Sequence, residues 1–223
     1  GRGVVASASY EARAFGVRSA MPAATALRLC PHLVIVRGHF GDYTKYSNAL
    51  YQRVMELAPI VERASIDEMY FDLTGCEVLY NNDLPGFIKR LQKIVLDEFR
   101  LPCTISLASN KVTAKIAAQT AKPAGVIYVP HGTEQEFLAP LSVDAIPGVG
   151  KKTGEILRKK GFQLVSDLQN TSREKLERIL GRHGIWIHEV ANGIGPDELS
   201  TEHERKSIGN EETFAKDIAD KNE

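Results

Sequence analysis

The sequence predicts an α+β fold: a mixed or antiparallel sheet with helices, a small N-terminal part and an all-α C-terminal part. Three observations lead there. Strand-like alternation and helix-like spacing follow one another without a strict strand-helix-strand rhythm. The stretch ASIDEMYFDLTG, residues 64–75, reads as the turn and second arm of a hairpin. Beyond Leu141 the chain reads as short helices split by glycines. With 223 residues, 43% of them hydrophobic, the chain is long enough to bury a core and to form more than one small domain.

In chain order, residues 3–8 read as a strand entered with no turn or cap before it, so further chain is expected upstream of Gly1. A short helix over 23–29 follows YEARAFGVRSAMP, and an apolar strand is expected over 33–36. Tyr46, Leu50, Val54 and Leu57 recur at helical spacing, as do Leu91, Ile94, Val95 and Phe99 after Pro85. Between these helices lies the hairpin. Residues 104–108 and 125–129 are strand candidates flanking a helix over 110–121 that Pro123 stops. The character changes around 130–132, where a domain boundary is expected. Pro196 opens a charged linker leading to KSIGNEETF, read as the start of a strand.

The formal net charge is zero, with 28 Lys and Arg against 28 Asp and Glu, but it is unevenly spread. Residues 145–184 carry nine bases and four acids, and residues 196–223 the reverse imbalance, four bases and nine acids. The neutral total hides a basic segment suited to phosphate. Cys30, Cys76 and Cys103 are far apart and in no metal-ligand spacing, so they read as packing residues in a reducing compartment. The six histidines are scattered, which argues against zinc. No apolar run has membrane-spanning length and the start has no signal-peptide layout, so no membrane partner and a cytoplasmic location are expected.

Asp67 and Glu68 are adjacent acids, which repel. In a strand running on from Glu68, Met69, Phe71 and Leu73 share one face and Glu68, Tyr70 and Asp72 the other. A turn over 66–68 makes both carboxylates project from a hairpin tip, where they would attract a hard divalent cation such as Mg²⁺. An ordinary exposed acidic turn is the alternative that this stretch leaves open. A second signal is IPGVGKKTGEILRKKGF, residues 146–162. Gly148 and Gly150 flank Val149 in a tight turn directly before a helix, so free backbone N–H groups can face a phosphate, with Lys151 and Lys152 adding charge. This is the helix-hairpin-helix pattern, which grips a DNA backbone without reading bases; a glycine-rich turn that merely starts a helix is the alternative.

Lys111, Lys115 and Lys122 fall at i, i+4 and i+11, nearly one helical face, and form either a cationic rail or ordinary solvated surface lysines. Tyr10 and Arg13 are three apart, so one helical turn puts phenol and guanidinium on the same side, a pair suited to triphosphate. A surface salt bridge is the plainer reading of Arg13.

Taken together, YEARAFGVRSAMP, ALRLCPHL, SIDEMYFDLTG, SLASNKVTAKIAAQTAKPAG, IPGVG and RKSIG occur in an order that resembles the Y-family translesion DNA polymerases. FGVRSAMP followed by LCPHL looks most like the DNA polymerase IV branch. The resemblance covers essentially the whole chain. It implies fingers over 1–38, a palm over 39–129, a helix-hairpin-helix thumb over 130–196, and a linker with the start of a little finger over 197–223. By motif position, Asp67 and Glu68 match the family's catalytic, metal-binding carboxylates. Tyr10, Arg13 and Lys122 match contacts to the incoming nucleotide's phosphates, and Ala6 and Ser7 match small residues over the nascent base pair.

The implied function is template-directed DNA synthesis across damaged template. Two Mg²⁺ ions per active site are implied as cofactors, with dNTP, primer-template DNA and a sliding clamp reached through a C-terminal part as partners. Two departures accompany the resemblance. The family's first palm strand, with its own metal-ligating Asp and the residue that excludes ribonucleotides, would precede Gly1, and the little finger is almost wholly lacking. The chain is therefore expected to be a fragment, inactive by itself. The competing readings are a non-catalytic DNA-binding module with a degenerate palm and, within the enzyme class, a deoxycytidyl transferase or another translesion branch.

Overall fold

The structure, a computed structural model, describes residues 3–201, 207–209 and 211. The chain divides into two compact units, residues 1–40 with 203–223, and residues 41–202. Among the described residues no helix is long and apolar enough to cross a membrane.

The first unit holds two short helices, α1 (Tyr10–Ala14) and α2 (Ala23–Leu29), around a small core of Ala12, Val17, Ala26 and Cys30. Ser9 caps α1, its hydroxyl accepting from the Ala12 N–H at 3.2 Å. The strand expected over 3–8 reduces to an isolated bridge between Val4 and Pro22, supported by Val5 N–H to the Met21 carbonyl at 2.9 Å. The opposing segment cannot extend the ladder, because α2 begins immediately after Pro22. The strand expected over 33–36 is irregular, with Val34 and Val36 each more than four-fifths exposed. An apolar run becomes a strand only with a neighbour to complete its hydrogen bonds, and none pairs with it among the described residues.

The second unit begins within α3 (Phe40–Met55), which is followed by the antiparallel pair β1 (Ile60–Arg63) and β2 (Met69–Asp72). The register pairs Glu62 with Tyr70 and Arg63 with Met69, so the expected hairpin is present. Helix α4 (Leu84–Phe99) starts at Asp83, whose carboxylate accepts from the Gly86 N–H at 2.8 Å, and has Pro85 in its first turn. Its buried Phe87, Ile88, Leu91 and Val95 form one stripe at helical spacing, packed with Val54, Val61, Leu73 and Cys76.

Next come β3 (Ile105–Leu107), α5 (Lys111–Thr120) and β4 (Val126–Tyr128), the two strands pairing in parallel across the helical crossover. The strands thus lie in two two-stranded sheets, one antiparallel and one parallel. Asn110 caps α5 by accepting from the Thr113 N–H at 2.9 Å, and the Gln92 amide binds the carbonyls of Cys103 and Ala124, each at 2.8 Å, steadying both strand entries.

From Glu134 to Ala191 the chain is mainly helical: α6 (Glu134–Leu138), α7 (Lys151–Lys159), α8 (Val165–Gln169), α9 (Arg173–Leu180) and α10 (Arg182–Ala191). Their core of Leu138, Val143, Ile146, Leu157, Val165, Leu168, Leu176 and Ile187 takes in Val112 and Ile116 of α5. Helices α9 and α10 approach closely at Gly184, where a Cβ would fall 2.0 Å from the Leu176 carbonyl oxygen. After α10 the chain runs back along α5, with the Lys111 N–H donating to the Pro196 carbonyl at 3.1 Å. Of the strand expected around KSIGNEETF, only residues 207–209 and 211 are described, and these are irregular and exposed. The rest of that expectation lies outside the described residues.

Candidate functional site: the carboxylate hairpin, the first helix and the glycine turn

The turn between β1 and β2 is closed by two backbone bonds, Ala64 N–H and Ser65 N–H both donating to the Glu68 carbonyl at 3.0 Å. Asp67 is exposed on it. The Ser65 hydroxyl donates to Asp67 Oδ1 at 2.6 Å, and Asp67 Oδ2 has no partner among the described residues. Glu68 is half-buried and starts the face that Tyr70 continues, as strand alternation requires. The Tyr70 hydroxyl donates to Glu68 Oε1 at 3.1 Å. Burial, and then the neighbouring Glu68 charge, push the Tyr70 phenol well above its ordinary pKa, so it keeps the proton it donates.

Two lysines of helix α5 reach this face. Lys111 Nζ lies 2.5 Å from Oε2 of the buried Glu62 and 5.2 Å from the centroid of the Tyr70 ring, and Lys115 Nζ meets Glu68 Oε1. The expected cationic rail is therefore corrected: Lys111 and Lys115 are neutralised by Glu62 and Glu68. Lys122 is exposed, just beyond the end of α5. The sequence reading missed Glu62 and Tyr70 as members of this cluster: alternation put Tyr70 on the Glu68 face, but only the strand register brings Glu62 opposite Tyr70.

As oxygen donors on an exposed turn, Asp67 and Glu68 suit Mg²⁺, which takes one or two carboxylates and fills its remaining positions with water and substrate phosphate. Among the described residues no group of three or more His, Cys, Asp or Glu comes together to hold a metal.

In the first unit, Tyr10 and Arg13 share one side of α1 as expected, the guanidinium carbon standing 5.2 Å from the Tyr10 ring centroid. Arg13 Nε donates to the Ala8 carbonyl at 2.9 Å, which fixes the base of the fork rather than pairing it with a carboxylate. Ala6 and Ser7 lie exposed on the irregular segment before α1.

The glycine turn of the helical region has a division of labour that the sequence reading did not separate. Gly148 has φ +88°, and a Cβ there would stand 3.1 Å from His183 Nε2, so this position needs glycine. Gly150, at φ −82°, is ordinary extended backbone at the N-cap of α7, and a Cβ there meets open space. Val149 is buried in the core and its N–H donates to the Ile146 carbonyl at 3.0 Å, so its side chain is not a surface contact. The N–H groups that the start of α7 leaves without helical partners are those of Lys151, Lys152 and Thr153. Thr153 was missed because its contribution is a backbone group, which depends on where the helix begins.

Residues 1–119 match the impB/mucB/samB family, and residues 144–195 match the DNA polymerase-iota thumb domain. DNA polymerase IV of Opitutus terrae is 40% identical over 220 residues, spanning 98% of this chain and 56% of its own length. DNA polymerase IV of Vibrio parahaemolyticus is 37% identical over 221 residues, 98% of this chain and 61% of its own. Among solved structures, DinB from Sulfolobus solfataricus superposes with a TM-score of 0.82 at 29% identity, over 89% of this chain and 59% of that one. An insertion ternary complex of Dbh DNA polymerase gives 0.80 at 29% identity, over 89% and 58%. The chain thus spans a little over half the length of the curated relatives it matches.

Proposed function

Because the chain belongs to the impB/mucB/samB family, we propose that it is part of a protein that carries out template-directed DNA synthesis across damaged template, joining a dNTP to a primer 3′ hydroxyl with release of pyrophosphate. The observation that carries this reading is the exposed Asp67 beside Glu68 on the β1–β2 turn, inside the stretch that matches the family. Asp67 and Glu68, together with the family's first palm Asp, substrate phosphate and water, would hold two Mg²⁺ ions, which would supply charge stabilisation for the attacking and leaving oxygens. Asp67, with the family's first palm Asp, would serve both ions, and Glu68 would serve the ion that activates the primer hydroxyl.

The chain's other residues position and neutralise. Tyr10 and Arg13 grip the triphosphate, the guanidinium by paired hydrogen bonds, and Lys122 adds a point charge as negative charge gathers on the departing pyrophosphate. Ala6 and Ser7, small and exposed, leave room for a distorted base pair. The N–H groups of Lys151, Lys152 and Thr153, with the two lysine charges, hold the DNA backbone without reading sequence.

The test is primer extension by the full-length gene product on undamaged and damaged templates with Mg²⁺, beside its Asp67→Asn variant. Template-directed addition that vanishes in the variant, while duplex affinity stays within about twofold, is the expected result. Duplex binding without addition under any divalent metal would make the chain a DNA-binding module with a vestigial palm.

A further inference from the structure

The proposed function leaves Lys115 without a role, yet Lys115 touches the site most directly. Lys111 and Lys115 are one helical turn apart on α5, so both ammonium groups reach toward the same face of the hairpin. Lys111 is absorbed by the buried Glu62. Lys115 reaches Glu68 and meets Oε1, the oxygen that also accepts from the Tyr70 hydroxyl at 3.1 Å. One carboxylate oxygen assigned above to a metal thus already carries an ammonium and a phenol proton.

A lysine ammonium and a divalent cation seek the same oxygen, and two cations a few ångströms apart repel. We propose that Lys115 is a positioning residue that serves as the built-in counter-ion of Glu68: it holds the carboxylate in place in the metal-free site and is displaced when the divalent ion binds. This rests on the metal role given to Asp67 and Glu68 above.

Two features make the exchange feasible. The side chains of Lys115 and Glu68 are 45% and 39% exposed, so water and a hydrated ion reach the pair, and its attraction is modest. The Tyr70 donor sits on the strand itself, two residues from Glu68, and keeps the carboxylate oriented after the ammonium leaves. The Lys111–Glu62 pair anchors α5 independently, so the exchange need not loosen the helix. The consequence is a raised threshold: more divalent ion is needed to load the hairpin than its two carboxylates alone would require.

The experiment is a titration of the purified protein with Mn²⁺, following free Mn²⁺ by electron paramagnetic resonance without DNA or nucleotide. Lys115→Met should bind Mn²⁺ about two- to fivefold more tightly, the range expected for removing a half-exposed competing pair. Lys115→Gln should do the same, and Lys115→Arg should restore the parent constant. Lys93, which pairs with Asp97 on α4, provides the control for general charge: Lys93→Met should change nothing.

Unchanged or weaker binding in both Lys115→Met and Lys115→Gln, or an equal gain in Lys93→Met, would overturn the proposal. A Mn²⁺ site that Asp67→Asn removes but that ignores Lys115 overturns the Lys115 role alone. The absence of any Asp67-dependent site overturns the metal reading and this inference with it.

Discussion

Lys111 and Glu62 meet at 2.5 Å although they lie 49 residues apart, with the Glu62 side chain only 8% exposed. The same carboxylate oxygen accepts the Ser200 N–H at 2.7 Å, so one buried acid ties α5 and the segment after α10 to strand β1. Removing the ammonium takes the paired positive charge away from a buried carboxylate. Lys111→Met should therefore destabilise the protein by about 2–3 kcal/mol, read from urea denaturation, whereas Glu62→Gln, which keeps an acceptor, should cost about 1 kcal/mol. Equal losses would mean that packing rather than charge dominates.

Asp167 closes the entry to α8 by accepting the N–H groups of Gln163 at 2.7 Å and Leu164 at 2.9 Å. Those two backbone bonds hold its carboxyl below the ordinary aspartate range. A depressed folded pKa means the stabilisation is fully present above the unfolded value and is lost as pH falls through the folded one. Asp167→Ala should cost about 1 kcal/mol at neutral pH, and its gap from the parent should close in strong acid. Asp167→Asn retains the acceptor and should show a smaller neutral-pH loss. Urea midpoints collected from neutral to acid pH decide it.

At the glycine turn, Gly148→Ala forces a Cβ into positive φ and against His183. A loss of about 1–2 kcal/mol in stability is expected, with weaker duplex binding because the start of α7 shifts. Gly150→Ala, at ordinary φ with open space, should fold normally. Converting Lys151 and Lys152 to Ala should weaken duplex binding for all sequences alike and reduce the slope of log affinity against log salt by about 1–2, measured by fluorescence anisotropy.

Lys122→Ala should raise the dNTP concentration needed for half-maximal incorporation while leaving DNA affinity unchanged, in steady-state primer extension. An unaltered nucleotide requirement would remove Lys122 from the phosphate contacts.

The elements read correctly from the chain are those whose signals are local. The apolar stripe of α4 begins at an Asp83 cap with Pro85 behind it, α5 begins at Asn110, and the alternation of Met69, Phe71 and Leu73 toward the core defines β2. Each is settled by neighbours within one or two turns of chain. Residues 3–8 and 33–36 misled because strand identity depends on a partner elsewhere, and apolar content alone does not provide one.

The sequence by itself determined that two acids share a turn, that glycines precede a basic helix, and that two lysines share a face of α5. Only the tertiary structure decided where those charges go. It set Lys111 and Lys115 against Glu62 and Glu68, residues 49 and 47 positions away, and left Asp67 exposed. The physical reason is that periodicity assigns a side chain to a face, whereas neutralisation depends on which charge the packed neighbour brings within a few ångströms, and Coulomb attraction acts through space rather than along the chain.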